Sequence, residues 1–205
     1  MIIHISKFIR ATILLCLFLP GTLFPQNKPV SKEIGLGFEL GNWRPNDLDE
    51  DVSLSFVKRT KDHPYLGIII LKPWRYSLTF RSSLGYWKFC KETSSLENRK
   101  IEIVSLLLDL KYAILSDVRL LPYVSYGFGW FFGKENQPGD PLLHLNRQWE
   151  SGIGVNIGTG FDFKLTRKFF LAMEFRYHYL KFKRVIAFTD NYSGPKISFG
   201  IVYLF

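Results

Sequence analysis

Residues 174–178 read Glu-Phe-Arg-Tyr-His, so an acid, a guanidinium and an imidazole alternate with aromatic rings. Residues two apart share one face of a β-strand, which would put Glu174, Arg176 and His178 in line. A histidine beside a carboxylate can act as a general base, but ester hydrolysis also needs a nucleophile within its reach. The next same-face position is Leu180, no serine lies along the stretch, and Ser193 in the following loop would need an unusual geometry. His178 is thus the one catalytic candidate, and it lacks a partner. The simpler expectation is a histidine satisfied inside the fold, with no catalytic residue. Glu39, Arg81, Asp109, Lys111, Asp162 and Lys164 lie in segments of the same period-two pattern. Brought together, these acids and bases could form buried ion pairs or line a narrow ion path.

Other chemistry is bounded by composition and spacing. Asp47-x-Asp49-Glu50-Asp51 has the look of a calcium loop, but Val52 and Lys58 stand where such a loop needs glycine and a terminal glutamate. His63 and His144 show no ligand spacing, and two cysteines support neither a disulfide scaffold nor a four-ligand zinc site. No metal and no cofactor are expected. The glycines of residues 152–160 are spaced by two with no helix after them, unlike a nucleotide-binding loop. Two basic groups, Lys58-Arg59-x-Lys61 and Lys181-x-Lys183-Arg184, fall where a loop or strand end could meet phosphates.

The elements that must position these groups are strands. In residues 151–165, Ile153, Val155, Ile157, Phe161, Phe163 and Leu165 face one way, opposite Gly152, Gly154, Asn156, Gly158, Gly160, Asp162 and Lys164. The alternation recurs in 34–41, 76–86, 104–112, 122–130, 171–179 and 197–205; Tyr65–Leu71 is apolar on both faces. That makes eight strands, mostly of the 9–11 residues a tilted membrane strand requires. Short links are expected near 72–74, 115–118 and 166–168, and long polar ones near 44–63, 90–99, 133–150 and 183–195. Short turns at one end and long loops at the other mark an outer-membrane meander with both termini on the short-turn side. Trp43, Tyr86, Trp87, Trp130 and Tyr203, near strand ends, are expected to form an aromatic girdle. A soluble barrel would turn its apolar face inward and carry charge outside; here the charges share a face with glycine, as a crowded lumen requires.

Residues 1–26 read as a secretory signal peptide: Lys7 and Arg10, an apolar core from Ala11 to Leu19, then Pro20-Gly21 and a polar exit at Gln26-Asn27. The barrel is expected over 27–205. The chain of 205 residues has a formal charge of +9 and is 17% aromatic and 22% charged, too apolar for a disordered protein. A basic chain can point to nucleic acid, but a membrane barrel makes that partner implausible.

The C-terminal run Phe199-x-Ile201-x-Tyr203-x-Phe205 resembles the C-terminal signal of bacterial outer-membrane proteins. The stretch from Gly152 to Tyr179, with Glu174-Phe175-Arg176-Tyr177, resembles the penultimate hairpin of small OmpA-type, porin-family barrels. The resemblance implies an all-β, eight-stranded, antiparallel up-and-down transmembrane barrel after a cleaved signal peptide. It further implies recognition of Phe199, Ile201, Tyr203 and Phe205 by the barrel-assembly machinery, and escort by periplasmic chaperones. The Arg-Tyr run, with Pro122-Tyr123 and Gly127-x-Gly129, also resembles lipid A deacylases of the PagL type, but their His-x-Ser motif is missing here. The resulting expectation is a monomeric, non-catalytic outer-membrane barrel. It would contact lipid and lipopolysaccharide through Lys58, Arg59, Lys61, Lys181, Lys183 and Arg184, or adhere through its long loops. A lipid A hydrolase or a small-solute channel is the alternative.

Overall fold

The computed structural model describes residues 33–48, 64–75, 77–92, 98–115, 119–136, 149–187 and 189–205. The leader (1–26), Lys58, Arg59 and Lys61, the acids Asp49–Asp51, and His63 and His144 lie outside the described residues.

Alternation fixes both the strands and what each side faces. The strands are β1 (Gly35–Trp43), β2 (Pro64–Arg75), β3 (Leu78–Glu92), β4 (Asn98–Ala113), β5 (Leu120–Asn136), β6 (Glu150–Lys164), β7 (Phe169–Ile186), the short β8 (Thr189–Asn191) and β9 (Gly194–Leu204). Each of β1 to β7 pairs antiparallel with the next. β9 lies between β7 and β1 and closes the ring, from Gly35 opposite Leu204 to Trp43 opposite Lys196. The result is a closed barrel of eight staves, with β8 a small addition folded back on β7. Closure pairs both edges of each of the eight staves, edges that a hydrocarbon solvent would otherwise leave without partners.

The barrel is apolar outside and polar within. Phe38, Ile153 and Phe199 are 65%, 69% and 57% exposed, while Glu39, Glu174 and Arg176 on the opposite face are 3%, 2% and 0% exposed. In water this would be an inverted protein. In a membrane the exposed side chains meet acyl chains, and the glycines and charges fill a narrow interior. Tyr65–Leu71, apolar on both faces, resolves by parity: Leu66, Ile68 and Ile70 point out, Tyr65, Gly67 and Ile69 point in.

Three expectations about the connections and the girdle are corrected. Lys72–Trp74 is not a turn but part of β2, and the link to β3 falls at 76–77. Pro73, which cannot donate a ladder hydrogen bond, sits at a register shift between Pro73 and Arg75 instead of ending the strand. The link expected at 90–99 is shorter, because Cys90–Glu92 and Asn98–Arg99 continue the ladder. Trp43 and Trp87 are not girdle residues: their positions have inward parity, and they are 1% and 0% exposed inside the barrel. Tyr86 and Trp130 do face outward, each 38% exposed.

Candidate functional site

Two places collect chemistry: the lumen, and the outside of the wall at the long-loop end. In the lumen, seven staves send a polar side chain to one level. Arg81 of β3 donates to Glu39 of β1 (2.8 Å) and to Glu174 of β7 (2.7 Å). Lys196 of β9 donates to the other oxygen of Glu39 (3.0 Å). Arg176 bridges Glu174 (2.9 Å) and Asp109 of β4 (2.9 Å). Ser125 of β5 donates to Glu174 (2.9 Å), and Asn156 of β6 donates to Asp109 (3.0 Å). Nearer the short-turn end, Lys111 pairs with Asp162, and its ammonium lies 3.6 Å above the Tyr123 ring. The ammonium of Lys196 sits likewise 3.5 Å above Tyr65. The acids Glu39, Asp109, Asp162 and Glu174 are matched by the bases Arg81, Lys111, Arg176 and Lys196. Such matching is required where an unpaired charge would cost several kcal/mol.

Of the charges expected in the lumen, all but one enter these pairs. Lys164 stands half-buried at the end of β6, two residues beyond Asp162 and closer to the short-turn mouth. Lys196, Ser125 and Asn156 were not singled out for the network. Their position on the polar side of their strands was the signal that could have found them. Glycine makes the room: a Cβ on Gly67 would come within 2.7 Å of the Glu39 carboxylate, and one on Gly127 would collide with Asp109.

Toward the long-loop end the lumen changes character. Trp43, Trp87, Phe131, Leu180, Phe182, Ile186 and Tyr192 form an apolar cluster with Ile101, Ile103 and Leu107. The Trp43 and Trp87 rings lie 5.1 Å apart, and Trp87 Nε1 donates to the Trp43 carbonyl (3.0 Å). Tyr192 donates its hydroxyl to the Ile186 carbonyl (2.6 Å); burial, reinforced by the Glu135 charge, pushes that hydroxyl well above its ordinary pKa, so it keeps its proton. A 3₁₀ turn at Asn46–Leu48 covers the cluster: Leu48 packs against it, and Asp47 accepts from Thr189 (3.0 Å) and Asn191 (3.2 Å). The Asp47 carboxylate, read from sequence as part of a possible calcium loop, thereby ties the first long connection to β8.

His178 lies at the boundary between the two layers. Its ring centre is 5.2 Å from Trp43 and 5.9 Å from Phe131, and it is 1% exposed. The imidazole faces the lumen, whereas a lipid A ester would arrive from the wall's outer face. Ser193 uses its hydroxyl on the backbone of Leu180, accepting from the nitrogen (3.0 Å) and donating to the carbonyl (3.3 Å). The Ser193 hydroxyl is thus committed to the backbone, while His178 packs against Trp43 and Phe131 on the lumen side.

Lys181 and Lys183 on the outer face, and Arg184 on the alternate face, are exposed at the end of β7. Lys181 pairs with Asp190 (3.1 Å) and Arg184 with Glu150 (3.5 Å). Glu102 of β4 is held by Lys100 and by Lys134 of β5 (3.0 Å), and Lys134 lies 4.9 Å from the Trp149 ring. At the other end, Phe199, Ile201 and Phe205 point outward, and Tyr203 packs edge-on against Phe169 (4.8 Å) and Phe205 (4.7 Å).

A family model described as outer membrane protein beta-barrel domain matches residues 76–205. The chain belongs to that family. This outer-membrane barrel is accordingly an integral outer-membrane protein, and solved structures agree on its fold. It superposes on Neisserial surface protein A with a TM-score of 0.57 at 15% identity, over 87% of this chain and 100% of that one. OprG from Pseudomonas aeruginosa gives 0.58 at 14%, over 86% and 97%. Ail of Yersinia pestis gives 0.50 at 14%, over 84% and 97%. No curated protein matches the barrel in sequence.

Proposed function

We propose that this protein is a sealed, non-catalytic outer-membrane barrel that acts at its loop-bearing outer end, by contact with lipopolysaccharide and by adhesion. One observation carries the reading: the lumen is filled twice over, by a charge-matched ionic layer and by an aromatic plug. A solute path would have to pass Arg81, Glu174 and Arg176, which hold one another at hydrogen-bond distance, and then part Trp43 from Trp87. Diffusive porins have twice as many strands and an open lumen. With the interior occupied, the outer rim and loops are left to meet partners. Ail, similar in fold, has been crystallised in complex with the heparin analogue sucrose octasulfate, an anionic saccharide. The exposed bases of β7 support an anionic partner here as well.

Two measurements test this. Reconstituted in planar bilayers, the protein is expected to give no stepwise conductance; discrete channels would favour the solute-path reading. Lipid A from Gram-negative cells making the protein is expected to keep its mass. Loss of an acyl chain, abolished by His178→Ala, would make it a hydrolase instead.

A further inference from the structure

The outer face of the wall from β3 to β7 is a graded surface. Lys88 on β3 stands opposite Glu102, which stands opposite Lys134 on β5. The row below runs Tyr86, Val104, Phe132, Ser151 by the same registers, and Lys183 follows Phe182, the partner of Gly152. One row lower come Leu84, Leu106, Trp130 and Ile153, between 38% and 69% exposed. Cations thus cap a wall of aromatic and aliphatic side chains.

The charge is one-sided. Among the described residues of this face, Lys88, Lys100, Lys134, Lys181 and Lys183 stand against Glu102 and Asp190. Each acid already has a base, whereas Lys88 and Lys183 are exposed with no partner among the described residues. Strands are about 4.8 Å apart, so Lys88 on β3, Lys134 on β5 and Lys183 on β7 follow one another at about 10 Å around the wall. Three bases at that interval match an anion with more than one phosphate better than a single small ion.

From this gradation we infer that the β3–β7 face is a binding site for the phosphorylated glucosamine head of lipopolysaccharide. Lys88, Lys134 and Lys183 contact its phosphates, and the Tyr86–Phe132 and Leu84–Ile153 rows contact its acyl chains. A soluble polyanion would use the bases and leave the apolar rows idle; a neutral lipid would use the rows and leave the bases idle. The combination selects a lipid with an anionic head, and at the loop-bearing end that lipid is lipopolysaccharide. The inference rests on the reading that the protein acts at its outer end, and it names the ligand and the residues.

The test uses the barrel refolded in detergent micelles, with bisphosphorylated lipid A and dephosphorylated lipid A as probes and native mass spectrometry as readout. Bisphosphorylated lipid A is expected to be retained about tenfold more tightly, as charge-assisted contacts of this kind allow. The variant Lys88→Gln/Lys134→Gln/Lys183→Gln is expected to lose that preference and keep the weaker affinity for the dephosphorylated lipid. Lys168→Gln, exposed at the opposite, short-turn end of the barrel, is expected to keep it. Heat-modifiable electrophoretic mobility establishes that each variant is folded. Equal retention of the two lipids, or a triple variant that binds like the parent, would overturn the site. Sucrose octasulfate binding that depends on the three lysines, without lipid A preference, would overturn the lipid in favour of a saccharide. Neither result alters the conductance test, so failure of the site and failure of the sealed-barrel reading are told apart.

Discussion

Arg176 is fully buried, and its guanidinium is held between Glu174 and Asp109. Glu174 also receives Arg81 and Ser125, so one carboxylate serves three donors. Removing its charge leaves two guanidinium groups short of an anion in a narrow interior. Glu174→Gln is expected to cost about 3–5 kcal/mol of stability, the range for breaking a buried ion pair, measured as the shift in urea unfolding of the refolded barrel. Lys181→Ala, which removes a pair whose lysine is 72% exposed, is expected to cost under about 1 kcal/mol. Equal effects for the two variants would mean that the ionic layer is not what holds the lumen. Gly127→Ala sets a methyl against Asp109 and the Leu108 carbonyl and is expected to cost about 1–3 kcal/mol, as overpacking does, in the same assay.

The last strand shows how local signal and closure meet. β9 completes the ladder on both sides, and Phe205 at its end donates its backbone nitrogen to the Ile34 carbonyl (2.9 Å). The Phe205 side chain is 65% exposed and touches the wall through Tyr203. A ring so exposed adds little to the finished barrel, so we propose for it a role in assembly. Phe205→Ala is expected to lower the amount of protein recovered in the outer-membrane fraction several-fold in cells, while moving the in vitro unfolding free energy by less than about 1 kcal/mol. A loss of stability in vitro as large as the loss in cells would make Phe205 a packing residue. At this scale the sequence was a good guide wherever alternation was unbroken, as in β6 and β7. It failed at Lys72–Trp74, where a stretch read as a short link belongs to β2 and the register shifts between Pro73 and Arg75. It also failed at Cys90–Glu92, where residues read as a loop extend a strand.

The whole barrel is two structures stacked along one axis: an ionic layer toward the short turns and an aromatic core toward the loops. Trp87→Ala, which removes a fully buried indole from the centre of that core, is expected to cost about 3–5 kcal/mol as a cavity. It is expected to leave the bilayer conductance at zero, because the ionic layer beneath it still spans the lumen. Conductance in this variant alone would place the seal in the aromatic plug and not in the charges.

Period two decided, residue by residue, which side chains face lipid and which face inward, because a strand has only two faces and a one-residue slip exchanges them all. That rule alone assigned Glu39, Arg81, Asp109, Glu174 and Arg176 to the lumen before any partner was known. It could not pair them: Glu39 and Lys196 are 157 positions apart in sequence, and only the register and closure of the ring bring them together. Nor could it tell a girdle tryptophan from a plug tryptophan by its place near a strand end. Trp43 and Trp87 had the parity of the lumen, but their meeting on the barrel axis depends on the stagger of β1 against β3 across β2. Facing is a local property of the chain, and contact across a barrel is a property of its closure.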